Sequence, residues 1–166
     1  MTVESKLVQT KNSFKVVGKA TRLDKDGAWK EEVMTKGAKQ GELYRALRFG
    51  VKTSDTNEIT VQMFDFEPTG VFLWNSEKKK ADDSYRGETI PFGQWEAQQE
   101  MYREQGYSPL QARIGLNVGD DGKIVSKGLP SFVASQEIYN NLNNGDSVVV
   151  EGEIRYSKYK NREDVE

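Results

Sequence analysis

Apolar and polar residues alternate along "SFKVVGKATRL" (13–23), where Phe14, Val16, Gly18 and Ala20 interleave with Lys15, Val17, Lys19 and Thr21. Period two with β-branched residues predicts a strand. Gly18 inside it predicts a bend or bulge where the strand coils. "DKDG" (24–27) is a turn signal, and a long connection carrying Trp29 among Lys25, Lys30, Lys36 and Lys39 runs to about residue 42. The alternation returns in "LYRALRFGVKTS" (43–54). Leu47, Phe49 and Val51 fall on one face, and Tyr44, Arg48 and Lys52 fall on the other. A turn at "SDTNE" leads to "ITVQMFDFE" (59–67), with Ile59, Val61 and Met63 opposite Phe64 and Phe66; "VFLWN" (71–75) extends or restarts this strand after "PTG".

From about 76 to 130 the pattern changes and reads as an insertion. "SEKKKADDS" is a charged loop. "IPFGQWEAQQEMYREQG" predicts a helix, with Pro91 in its first turn, Gly106 at its C-terminal cap and a packing stripe of Phe92, Trp95 and Tyr102. "RIGLNVGDDGKIVSKGL" predicts a hairpin around an acidic, glycine-containing turn. "PSFVASQEIYNNLNNGD" predicts a short helix, with Ala134, Ile138 and Leu142 spaced by four and Gly145 at the cap. The last strand is "SVVVEGEIRYSKYK", with Val148, Val150, Gly152, Ile154 and Tyr156 sharing one face.

Three consecutive strands, a helix before the final strand and glycines within strands predict a mainly β protein. The layout is that of the OB-fold, a five-stranded antiparallel barrel, here with a long helix-and-hairpin insertion. One domain spanning 1–166 is expected, with the insertion at about 76–130.

Composition narrows the chemistry. Among 166 residues there is neither Cys nor His, which removes disulfides, thiolate zinc sites and the commonest general base and metal ligand. The acidic pairs Asp82–Asp83 and Asp120–Asp121 lie in turn-like, lysine-flanked contexts, as solvated loop charges do. No phosphate-cradling glycine pattern is present. The reading is therefore non-enzymatic, with no metal and no cofactor. No apolar run is long enough to cross a membrane as a helix, and the N-terminal stretch lacks a signal-peptide core; a cytoplasmic location is expected.

The formal net charge of −2 does not announce a nucleic-acid binder, yet positive charge is locally concentrated. Tyr44, Arg48 and Lys52 form an exposed set suited to base stacking and phosphate contact; an ordinary solvated face is the competing reading. Phe64 and Phe66, on the face opposite Ile59, Val61 and Met63, are a second candidate stacking pair; burial in the core is the competing reading for aromatics of this stretch. Trp29 is either a clamp or a core anchor. In "EGEIRYSKYKNRE" (151–163), Arg155, Lys158, Lys160 and Arg162 interleave with Tyr156 and Tyr159. Cations there would track phosphates and the rings would stack on bases, unless the lysines only protect an edge strand. Tyr156 also shares parity with the apolar face.

"NNGDSVVVEGEIRYSKYKNRE", "FKVVGKATRLDKDG" and "YRALRFGVKT" resemble the single-stranded DNA-binding protein family, over roughly the first 74 and last 35 residues. The resemblance implies an OB-fold, sequence-tolerant binding of single-stranded DNA, homo-oligomerisation, and work with replication or recombination proteins. It supports Tyr44, Arg48 and Lys52 on the second strand and Arg155, Tyr156 and Lys158 on the last. The divergent, inserted pattern looks like a phage or mobile-element version, acting in the host cytoplasm. The rival readings are a β-rich structural or interaction module, such as a virion or assembly component, and a carboxylate–metal nuclease.

Overall fold

The computed structural model describes residues 12–154. The chain is mainly β and its sheets are antiparallel. The principal sheet is built from β1 (Ser13–Thr21), β2 (Trp29–Val33), β3 (Leu43–Lys52), β4 (Glu58–Phe66) and β10 (Ser147–Glu153). β3 lies at its centre, with β4 along one side. On the other side, β2 pairs with the first half of β3 and β1 with its end. β10 continues the sheet beyond β1.

The expected closed barrel is not present: among the described residues β4 and β10 pair with no common neighbour that would close the sheet, which stays open. Closure needs a continuous hydrogen-bonded circuit with matched tilt and stagger. Here β1 spends seven residues on β10 and only three on β3.

The bend expected at Gly18 lies where β1 passes from one partner to the other. A Cβ on Gly18 would run into the Lys52 carbonyl and the Val51 side chain. Gly18→Ala is therefore expected to lower stability by about 1–3 kcal/mol, the usual cost of forcing a methyl into a filled space. A shift of the urea midpoint at unchanged slope checks this.

Alternation sets the faces as expected. Val16, Ala20, Leu47, Phe49, Val51 and Val61 are buried together under the sheet, with Leu23 closing one end. Arg45 falls on the same side and is accommodated by specific partners. Its guanidinium pairs with Glu31 at 2.6 Å, donates to the Phe132 carbonyl at 3.0 Å and lies 3.9 Å from the centre of the Phe132 ring.

The segment after β4 departs further from expectation. "VFLWN" does not extend β4; it forms β5 (Gly70–Asn75), the middle strand of a second sheet between β6 (Glu88–Pro91) and β7 (Tyr107–Pro109). The "charged loop" begins as a helix, α1 (Ser76–Ala81). The buried Asn75 side chain caps it by accepting from the Glu77 and Lys78 amides. Trp29 and its neighbours, expected in a connection, form β2. α2 (Phe92–Glu104) follows Pro91 and ends before Gly106, whose φ of +86° suits a residue without a Cβ. β8 (Ala112–Val118) and β9 (Ile124–Leu129) make the expected hairpin.

α3 (Ser131–Asn141) ends at Leu142, so Gly145 is not its cap. With φ +91°, Gly145 sits in the following turn, where the Asp146 amide donates to the Asn143 carbonyl. α3 joins two apolar clusters. Phe132 and Ala134 bury with Val71, Leu73, Phe92, Trp95, Ile114 and Leu129, while Ile138 also packs against the cluster under the principal sheet. No helix among the described residues is long and apolar enough to cross a membrane.

Candidate nucleic-acid interface

The outward face of the principal sheet collects the side chains that period two turns away from the core. Register decides which of them meet. Tyr44 stands opposite Phe66, and Ala46 opposite Phe64. Ala46 is small, and three rings on this face meet one another. Tyr44 and Phe64 have centroids 5.2 Å apart, Phe64 and Phe66 5.3 Å, and Tyr44 and Phe66 6.2 Å. These tilted and edge-to-face arrangements are favoured ones for aromatic pairs. Phe64 is 46% exposed, which is high for a phenylalanine inside a sheet. The Tyr44 hydroxyl donates to Glu32 across the strand pair at 3.0 Å, and this raises its pKa, so Tyr44 stays neutral.

Cations border this cluster. Lys39, reaching over from the β2–β3 connection, holds its ammonium 5.3 Å from the Phe66 ring centre while pairing with Glu42 at 3.0 Å. Lys30 lies opposite Ala46, and Arg48 follows one period along β3 from it. Farther along the same face, Lys19 and Lys52 stand directly opposite each other on adjacent strands. Like charges so placed repel. Lys19, Lys30, Arg48 and Lys52 form no ion pair among the described residues; of the carboxylates on this face, Glu58 stands directly across from Lys52 but pairs with Arg22, Glu151 pairs with Lys15, and Glu32 accepts from the Tyr44 hydroxyl. From Tyr44 to Lys52 the face runs about 27 Å at the rise of an extended strand. Beyond β3, Val17 and Val149 form an exposed apolar cross-strand pair on the same side.

The structure thus brings Tyr44, Phe64 and Phe66 into contact and puts Arg48 and Lys52 on the same face. It places Trp29 on the opposite face, facing Leu47 and stacked on Tyr139 at 5.4 Å between ring centres with planes 11° apart. Trp29 is an anchor of the core side. Arg155, Tyr156, Lys158, Tyr159 and Lys160 lie outside the described residues. Lys19, Lys30 and Lys39 also belong to this face or its border, yet the chain pattern does not single them out: Lys19 alternates with core residues in β1 as any solvent-facing strand lysine does, and no apolar alternation surrounds Lys30 or Lys39.

One carboxyl near the site has an altered acidity. Asp65, on the core side of β4, is half-buried, and loss of solvent raises its pKa although the Phe66 amide donates to it. Among the described residues no group of three or more carboxylates is arranged to hold a metal ion.

A family model described as YorF matches residues 84–166, half of the chain. The match takes in α2, the β8–β9 hairpin, α3 and β10, and begins after the Tyr44, Phe64 and Phe66 cluster. No curated protein and no solved structure matches the chain. By the extent of that match, the chain belongs to the YorF family.

Proposed function

We propose that the protein binds single-stranded DNA without strong sequence preference on the outward face of the principal sheet. Bases stack on Phe64, Tyr44 and Phe66, and phosphates pass Lys30, Arg48, Lys52 and Lys19. The observation that carries this reading is a partly exposed aromatic cluster, open at Phe64, on the same face as Lys30, Arg48, Lys19 and Lys52, which form no ion pair among the described residues. Stacking tolerates any base because every base has a π face, and cations tracking the backbone supply the remaining affinity. The apposed Lys19 and Lys52 support it further, since a phosphate between them offsets their repulsion.

The same reading takes the open five-stranded sheet, with α3 preceding the final strand, as a divergent OB-type scaffold. It also takes the protein as a non-enzymatic participant in replication or recombination. The resemblance of the first and last strands to single-stranded DNA-binding proteins supports both.

Titration of labelled oligo-dT at several salt concentrations tests the proposal. Binding should weaken steeply with salt. Arg48→Ala with Lys52→Ala should reduce the slope of log K against log salt by about two, because each lost phosphate contact removes about one counterion. Both residues are exposed, so the melting temperature should stay close to the parent's. An unchanged slope would remove this pair from the site.

A second reading, a β-rich interaction module, is favoured by one observation. The outer part of the β8–β9 hairpin exposes Val118, Ile124 and Val125, an unusual apolar display for a two-stranded ribbon. Absence of any oligo-dT binding at low salt would select it.

A further inference from the structure

Away from the sheet face, α2, β7 and the β8–β9 hairpin line a half-open cavity of about 220 Å3. Arg103, Arg113 and Lys127 reach it from three different elements, and Gln99, Ser108 and Ser126 add polar groups to its wall. The cavity rests on firm supports. Trp95, in its wall, is 2% exposed and belongs to the apolar cluster beneath. Gly128 lets β9 approach β7 closely, since a Cβ there would strike the Pro109 carbonyl and the Ser108 hydroxyl.

The charge balance in this cavity is unequal. Lys127 pairs with Glu137 at 2.8 Å and Arg103 with Glu100 at 2.9 Å. Arg113 has no ion pair and no side-chain hydrogen bond among the described residues. It stands across the hairpin from Gly128, so no opposing side chain covers it. One uncompensated, solvent-exposed guanidinium therefore lines the same cavity as N–H groups of Arg103 and Lys127 that their single carboxylate partners leave unused. Such a donor-rich, positively charged wall suits an oxyanion, and the planar fork of Arg matches a phosphate in a two-point contact. The volume falls below the ~300–1,000 Å3 of pockets that enclose drug-sized molecules, which points to a site for a single phosphate group.

We propose that this cavity is a phosphate-binding site centred on Arg113. It shares no residue with the sheet face, and it lies wholly within the part of the chain that matches the YorF family. The phosphate comes either from a small free phosphate or from the backbone of a bound strand; the recognition chemistry is the same.

Two arms of one experiment separate these sources. In the first, inorganic phosphate is titrated at constant ionic strength and followed by melting temperature and calorimetry, with chloride as the control. In the second, oligo-dT affinity is measured across salt concentrations. Each is run with the parent, Arg113→Ala, and Arg113→Gln, which keeps much of the side-chain stem if the alanine variant melts early. A saturable phosphate response, weakened about tenfold or more in both variants and partly restored by Arg113→Lys, identifies a free phosphate site. No response to inorganic phosphate, but a salt slope for oligo-dT lowered by about one in the variants, identifies a strand phosphate. Loss of neither response on replacing Arg113 overturns the proposal. Failure of oligo-dT to bind at all would count against the sheet-face reading, while the first arm would still decide this one.

Discussion

Phe64→Ala is expected to weaken oligo-dT binding by about 1–3 kcal/mol, or roughly 5–150-fold. Its ring is the most exposed of the three, so it offers the largest open face for a base, and its removal also unpacks Tyr44 and Phe66 from one side. The effect on stability should be much smaller than for a buried phenylalanine, because nearly half of the residue's surface is already in water. Phe64→Tyr should bind almost as the parent does, since stacking uses the face of the ring. The result should contrast with that for Trp29, whose stacking on Tyr139 is internal: Trp29→Ala should lower the melting temperature with little separate loss of affinity. Fluorescence titration and a thermal melt of each variant decide the matter. If Phe64→Ala binds like the parent at low and moderate salt, bases do not stack on this sheet.

Replacing residues 76–130 by a short linker is expected to abolish cooperative unfolding. Reading along the chain treats this segment as an addition to a complete barrel, and loop closure alone would cost little. The packing implies the opposite outcome. Phe92, Trp95, Ile114 and Leu129 come from the segment, and they cover Val71, Leu73, Phe132 and Ala134, which do not. β5 would also lose both hydrogen-bonding neighbours, β6 and β7. Returning Val71, Leu73 and Phe132 to water would cost about 5–9 kcal/mol at ~1.5–3 kcal/mol for each large apolar side chain. That approaches the whole stability of a typical domain, ~5–15 kcal/mol. Circular dichroism during a urea titration reads the result. A sharp transition retained by the shortened chain would mean that the cluster under the principal sheet stands alone.

Both outcomes turn on which information is local. The residue pattern alone set the faces of the long strands, because side chains alternate wherever the backbone is extended. Leu47, Phe49 and Val51 had to oppose Tyr44, Arg48 and Lys52, and Phe64 had to oppose Val61 and Met63, whatever the strands paired with. It also determined where α2 stops, since the residue at φ +86° is the glycine that such a backbone favours. β2 stayed hidden because "WKEEV" flanks the sheet as an edge strand with four of its five residues exposed, so no apolar alternation marks it. β6 and β7, at four and three residues, are too short to carry a period.

Register, closure and convergence came instead from long-range packing. Whether Phe66 faces Tyr44 or slips past it depends on a pairing between strands, and a shift along the partner changes every cross-strand neighbour without altering either strand's own pattern. The same holds for Lys19 opposite Lys52, for the open edge between β4 and β10, and for Arg103, Arg113 and Lys127, which lie on α2, β8 and β9 and meet only when those elements pack. A residue's own neighbours in sequence set the side of an element it occupies. Which other residues it meets there is set by long-range pairing and by the burial of Trp95, Leu129 and Phe132 that holds the elements together.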